Sequence, residues 1–186
     1  PTGVWGMSTA DLVKLPGYGS DIAKNRAEAQ AIMKSLGYGP DNMLKVKVAT
    51  RNIALYRDPA VILIDQLKQI YIEGELEPID TTVWFTKVQR KDYQIGLNLT
   101  GAGVDDPDVM FYENFHSKSS RNYTGYHNDE VEKLIDKQSA ETDVAKRKQI
   151  VAQIEGLLVE DAARPTILHL SANTCWQPEV KGLVLQ

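Results

Sequence analysis

Residues Asp92–Asp136 read DYQIGLNLTGAGVDDPDVMFYENFHSKSSRNYTGYHNDEVEKLID. Tyr93, Ile95, Leu97 and Leu99 alternate with Gln94, Gly96 and Asn98, the period of a strand with one covered face. The strand runs into Gly101-Ala102-Gly103, and a glycine loop at a strand end lets backbone come close to a ligand. Asp105-Asp106-Pro107-Asp108 then turns the chain, and Asp108 is placed to cap a short helix carrying Val109, Phe111, Tyr112 and Phe115. Asn128 starts another helix, with Asp129 and Glu130 at the positive end of its dipole and Val131, Leu134 and Ile135 on its buried side. A strand, a loop suited to a ligand and two capped helices in one run predict an α/β arrangement. Nothing in the run forms a catalytic pair.

Upstream, residues 1–19 read as irregular, broken by Gly3, Gly6, Pro16, Gly17 and Gly19. A helix is expected from Asp21 to Leu36, capped by Ser20 and closed by Gly37, with Ile22, Ala29, Ile32, Met33 and Leu36 on one face. Leu44, Val46 and Val48 alternate with Lys45 and Lys47 as a strand, and Asp58-Pro59 predicts a helix start ahead of the stripe Leu63, Ile64, Leu67, Ile70 and Tyr71. A weaker strand over Leu76–Thr81 and a short helix over Val83–Arg90, capped by Thr82, lead into the quoted stretch; Trp84 reads as core. Downstream, the longest helix is expected over Val144–Ala163, stopped by Pro165, and Ile167, Leu168 and Leu170 read as a final buried strand. The fold class that follows is α/β (mixed α+β), a mixed sheet flanked by helices. Residues 1–20 are expected to be a lead-in and residues 21–186 one lobe.

The 186 residues suffice for one sizeable core, and 42% hydrophobic with 25% charged residues is an ordinary globular balance. A net charge of −4 with dispersed Lys and Arg argues against nucleic acid, which wants a clustered basic face. No apolar run approaches the roughly 20 residues of a membrane helix. The single cysteine, Cys175, excludes an internal disulfide and fits either cytoplasm or periplasm. The chain opens on Pro1-Thr2-Gly3 and closes on the apolar, strand-like Val184-Leu185-Gln186, so it is read as part of something longer.

Chemistry is hard to place. His116, His127 and His169 have no metal-ligand spacing, so no metal and no cofactor are expected. Asp105, Asp106 and Asp108 lack the glycine and terminal Glu of a calcium loop, and a turn with a helix cap accounts for them. Gly101-Ala102-Gly103 lacks the third glycine of a dinucleotide fingerprint. Glu73, Glu75 and Glu77 read as solvated around a turn, and Lys146-Arg147-Lys148 as a solvated helix face. No catalytic residue is assigned.

In order along the chain, AEAQAIMKSLGYG (27–39), the strand at 44–48, the helix at 62–72, KDYQIGLNLTGAGVDDPDVMF (91–111), NYTGYHNDEVEKLID (122–136), VEDAARPTILHL (159–170) and VKGL (180–183) resemble the C-terminal lobe of family 5 extracellular solute-binding proteins. These are the binding proteins of oligopeptide, dipeptide and nickel-type ABC importers. The resemblance implies one lobe of a type II periplasmic-binding-protein-like clamshell, with residues 1–20 leading in from the preceding lobe. It implies a periplasmic or extracellular protein, possible membrane anchoring included, that closes on a small solute and delivers it to a membrane ABC permease. The missing N-terminal lobe would complete the site, and the full-length protein would be a monomer.

In peptide-binding relatives the position four before the Asp-Pro proline is an aspartate that pairs with the peptide amine; here it is Gly103. The aromatic often found seven before that proline is Thr100. A glycine there suits a neutral or anionic solute better than a cationic one. The ligand-binding residues expected on this basis are Asn98, Thr100, Gly101, Ala102, Gly103, Asp105, Asn122 and Tyr123. Two alternatives stay open at this point: a hydrolase-type domain using Asp105 or His116, and a solute-sensing protein with a receptor as partner.

Overall fold

The computed structural model describes residues 4–101, 103–170 and 175–183. Ala102 and the tail Val184–Gln186 lie outside the described residues. Three strands form a parallel sheet in the order β2 (Ile72–Ile79), β1 (Leu44–Arg51), β3 (Ile95–Gly96), with Leu44 opposite Ile72 and Val48 opposite Ile95. The sheet expected to be mixed is therefore all parallel among the described residues. Parallel neighbours need crossover connections, and helices supply them here.

Before the sheet lie a short helix, α1 (Thr9–Leu12), inside the stretch read as irregular, and α2 (Ile22–Ser35). Asp21, not Ser20, caps α2, accepting Lys24 N–H at 2.9 Å. Gly37 closes it in the left-handed region at φ +87°, where Tyr38 N–H reaches back to the Met33 carbonyl. Only Met33 of the apolar face of α2 is buried; Ile22, Ile32 and Leu36 are exposed.

The crossover from β1 to β2 is α3 (Ala54–Lys68), which carries Pro59 inside rather than at its start. Tyr56 and Arg57 N–H groups both reach the Ile53 carbonyl, so the helix begins a turn ahead of the Asp58-Pro59 signal. α3 lies so close to the sheet that a Cβ on Gly74 would sit 2.9 Å from Ile64 Cγ1 and 3.4 Å from Val48 Cγ2. Ala49 faces the other way from Val48. On its side α4 (Thr81–Gln89) buries Trp84 and Val88. Asp80, one residue before the helix, caps it through Thr82 N–H.

β3 is shorter than its alternating sequence suggests. The side-chain oxygen of Gln94 accepts Lys47 N–H at 2.7 Å, taking the place of a main-chain ladder bond, and Leu97 N–H donates the last one to the Ala49 carbonyl at 2.9 Å.

The second half of the chain is helical: α5 (Pro107–Phe115), α6 (Asp129–Ala140) and α7 (Val144–Glu160). Their core joins Phe111, Val131, Ile135, Ile150, Val151, Ile154 and Leu158, with Trp5 and Tyr126 packed on its edge. Asn128 caps α6 as expected from its sequence. Asp106 rather than Asp108 caps α5, since Pro107 takes the first helical position, which suits a residue without N–H. Past α7, Ile167, Leu168 and Leu170 form no strand and are exposed.

Candidate ligand-binding site

In open parallel α/β sheets, ligands bind outside the carboxyl ends of the strands. A pocket among the described residues lies there. Arg51 closes β1, and Asn98, Leu99, Thr100 and Gly101 follow directly from β3. Phe85 from α4, Glu113 and Asn114 from α5, and Arg121, Tyr123 and Arg164 from the connecting segments complete a cavity of about 170 Å³.

Three arginines line it. The Arg51 guanidinium lies over the Tyr56 ring at 4.4 Å and the Phe85 ring at 5.1 Å, and its buried Nε has no hydrogen-bond partner among the described residues. Arg164 is half-buried just before Pro165, where α7 has ended, and donates to Asn114 Oδ1 and Thr100 Oγ1. Burial pushes the Arg164 pKa below the ordinary guanidinium value, with Tyr93 and Tyr123 opposing. Arg121 is different: its Nη1 sits 2.7 Å from Glu113 Oε2, and that bond raises its pKa.

Neutral groups hold these charges in place. Asn114 is buried and donates to the Met110 carbonyl at 2.7 Å, so its oxygen is aimed by α5 itself. The Tyr93 hydroxyl donates to the Tyr123 carbonyl at 2.9 Å, stapling the 121–126 segment to the start of β3. Asn98 contributes a buried Oδ1 without a partner among the described residues.

Of the residues expected from sequence, Asn98, Thr100, Gly101 and Tyr123 line this pocket, while Gly103, Asp105 and Asn122 do not. After Gly101 the chain turns toward the α5 cap, and the Asp105 carbonyl accepts the Trp5 indole N–H at 3.1 Å. Asn122 is buried and fully used as scaffold. It donates to the Tyr126 carbonyl at 2.7 Å and accepts from Gly125 N–H at 3.1 Å. Neither Asp105 nor His116 lines the pocket; His116 is buried against Tyr112, with Glu132 and Asp136 within 4 Å. Among the described residues no group of His, Cys, Asp and Glu is arranged to hold a metal ion.

Sequence reading passes over Arg51, Phe85, Glu113, Asn114, Arg121 and Arg164. Arg51 alone carries a local signal, as the polar residue that ends a strand of apolar alternation.

No family model matches the chain. It is 28% identical over 119 residues to the oligopeptide-binding protein OppA of Bacillus subtilis (strain 168), covering 63% of this chain and 22% of that protein. It is 23% identical over 188 residues to the probable D,D-dipeptide-binding periplasmic protein DdpA of Escherichia coli (strain K12), covering 99% of this chain and 34% of the relative. Among solved structures, Haemophilus influenzae OppA in complex with RPPGFSPFR superposes with a TM-score of 0.77 at 22% identity, over 88% of this chain and 32% of that one. The chain thus spans about a third or less of the length of each, and at this identity the structural likeness establishes the fold, that of a periplasmic-binding-protein lobe.

Proposed function

We propose, from relatives and structural neighbours that are family 5 solute-binding proteins, that this chain forms one wall of a solute-capturing cleft in an ABC importer's binding protein. Residues 21–186 act as the C-terminal lobe, and residues 1–20 lead into it. The solute is a small extracytoplasmic molecule, peptide-like or a neutral or anionic non-peptide, and capture is followed by delivery to a membrane permease. The carrying observation is the open pocket at the carboxyl edge of the parallel sheet, built from the ends of β1 and β3 and lined with charged and amide side chains.

Binding without chemistry accounts for the site. The pocket brings together no nucleophile with a base, and its charged groups are guanidiniums and one carboxylate engaged by Arg121. Work outside the cytoplasm follows from the resemblance and from the periplasmic relative. No helix of the described residues is long and apolar enough to cross a membrane.

In a clamshell, affinity comes from burying the solute between two lobes, and closure is selected by contacts on both. One lobe alone is therefore expected to bind weakly. The test is an NMR titration of the chain against peptides, sugars, opines, metal chelates and aromatic acids. The expected result is millimolar-range binding that moves the signals of Arg51, Asn98, Thr100 and Tyr123. Micromolar affinity of the chain by itself would refute two-lobe capture. Shifts confined to other surfaces would refute this pocket.

A further inference from the structure

The pocket lies on a seam between two cores. On the sheet side Ala49, Trp84 and Val88 are buried together, with Tyr93 and Tyr123 packed against them. On the helix side Phe111 joins the buried faces of α6 and α7, with Phe115 and Tyr126 at the edge. The ends of β1 and β3 line the pocket from the first side, and Glu113 and Asn114 of α5 with Arg121 and Tyr123 line it from the second. The width of the cavity is therefore the distance between these two walls.

The arch of residues 116–126 crosses the seam. Arg121 and Tyr123 reach the pocket, while Asn122 between them is buried. Asn122 spends its hydrogen-bonding capacity inside the arch. Its amide donates to the His116 and Tyr126 carbonyls at 3.4 and 2.7 Å, and its oxygen accepts from Thr124 Oγ1 and Gly125 N–H at 3.2 and 3.1 Å. The arch is thus folded around its own centre as one piece. Several bonds moor it to the helix side: Ser119 Oγ to the Glu113 carbonyl at 2.8 Å, Ser117 N–H to Glu132 at 2.9 Å and the Tyr126 hydroxyl to Asp161 at 2.6 Å. Toward the sheet side it has, among the described residues, one hydrogen bond, from the Tyr93 hydroxyl to the Tyr123 carbonyl at 2.9 Å.

The sheet aims that hydroxyl. The Tyr93 ring lies against Gly96, where a Cβ would sit 3.0 Å from Cδ2 and 3.1 Å from Cε2 of the ring. Gly96 is outside the left-handed region, so the ring and not the backbone asks for a glycine there. Burial raises the Tyr93 pKa above the ordinary phenol value, against the charge of Arg164, so the hydroxyl keeps its proton and remains a donor. Tyr93 itself does not line the pocket. We propose that Tyr93 is a positioning residue of the solute pocket: through the Tyr123 carbonyl it sets how far the arch stands from the sheet, and so how wide the cavity is. The proposal rests on the solute-binding reading above and names what holds that site at its size.

Tyr93→Phe removes the hydroxyl and keeps the ring, so both cores stay filled. Amide relaxation dispersion on the isotope-labelled chain should show millisecond exchange appearing at residues 121–124 of this variant and not in α6 or α7. Tri-alanine, benzoate and glucose stand for peptide-like, anionic and neutral solutes, and each is titrated into both proteins while the amides of residues 98–101 are followed. The probe that the wild-type chain binds best should bind Tyr93→Phe about three- to tenfold more weakly, the scale of one net hydrogen bond. Gly96→Ala keeps the hydroxyl but displaces the ring that carries it. It should loosen the same residues, and combined with Tyr93→Phe it should weaken binding by less than the product of the two single effects. Gly74→Ala is the control: it strains the amino-terminal half of the sheet under α3, away from the pocket, and should change the affinity by no more than about twofold.

Three results would overturn the positioning role while leaving solute capture standing. They are an affinity unchanged in Tyr93→Phe, residues 121–124 as rigid there as in the wild type, or a loss of affinity that Gly74→Ala matches. If none of the three probes moves residues 98–101 of the wild-type chain, the solute-binding reading itself fails and the proposal falls with it.

Discussion

Asp106 ties the end of the loop that lines the pocket to three helices, and its removal is the sharpest test of how the lobe is held together. Its Oδ1 accepts Asp108 N–H at 2.9 Å to cap α5, and its two oxygens receive the Arg147 guanidinium of α7 at 2.6 and 2.9 Å. Arg147 Nε goes on to Gln138 of α6 at 3.0 Å, and Gln138 to Asp108 at 2.7 Å. The indole of Trp5 covers the guanidinium at 4.7 Å. Arg147, in a run that reads as a solvated face, is thus only 14% exposed, while Asp106 is 38% exposed.

Losing the cap costs about 1 kcal/mol. Losing the charged hydrogen bonds, discounted for the exposure of Asp106, costs about 1–2 kcal/mol more. Asp106→Ala should therefore destabilise the chain by about 2–3 kcal/mol, a fall in Tm of about 4–12 °C for a protein of this size. Asp106→Asn keeps a capping oxygen and should lose only the ionic share, about 1–2 kcal/mol. The assay is urea unfolding followed by circular dichroism, run as a double-mutant cycle with Arg147→Met.

The hydrogen bond from Arg147 holds the Asp106 pKa below the usual carboxylate value, against burial. A depressed folded pKa means that the contribution is complete above the unfolded value of about 3.9 and is lost as pH falls through the folded one. The gap between wild type and Asp106→Asn should thus persist at neutral pH and close only below about pH 4. If the Asn and Ala variants are equally stable the cap contributes nothing, and if the double mutant is additive within about 0.5 kcal/mol the bidentate pair contributes nothing; either result makes the account wrong.

The close approach of α3 to the sheet predicts that Gly74→Ala, whose Cβ would meet Ile64 at 2.9 Å, loses about 1–3 kcal/mol by overpacking; a further Ile64→Val change should restore part of it, and a neutral Gly74→Ala would refute the contact. Ile135→Ala, at a fully buried position of the helical core, should cost about 2–5 kcal/mol in the same unfolding assay, and a loss below 1 kcal/mol would mean that the site collapses or is wetter than described. Burial would raise the Glu132 pKa, but bonds from Ser117 and His127 and the charge of His116 hold it at about 2, while the Glu132 bond raises that of His127, with Asp129 adding to it. The Glu132 contribution is present above its unfolded value and that of His127 below its own, so Glu132→Gln should destabilise most between about pH 4.5 and 6.5. A difference in Tm that grows above pH 8 would contradict this sign.

Much of the fold is legible from local pattern because local chemistry decides it. Asn128 reads as the cap of α6 and is one, since a short side-chain acceptor before an apolar period satisfies the first free N–H groups. Where two signals compete, the reading slips by a residue or a turn. Asp106 and Asp108 both offer a carboxylate, and Pro107 settles the choice by taking the first helical position. Asp58-Pro59 is a strong start signal, yet α3 begins at Ala54, where Arg51 stacking on Tyr56 and bonds to the Ile53 carbonyl extend it. The shortening of β3 has no local signature at all, because it depends on the Gln94 side chain meeting Lys47 across the sheet.

The site divides along the same line. Asn98, Thr100 and Gly101 are legible because they follow a strand that reads clearly, whereas Arg51 and Arg164 are brought together only by the parallel order β2-β1-β3 and the turn after α7. The glycines make the distinction concrete. Gly74 is demanded by the fold, as any Cβ there runs into Ile64. Gly103 is not: a Cβ at that position meets nothing within 4 Å, and its φ is not in the region reserved for glycine. Sterics therefore leave room for a side chain at Gly103, and the missing carboxylate is a free choice of the sequence. The positive field of the pocket comes instead from Arg51 and Arg164, which line it and which no charged residue of the described chain neutralises.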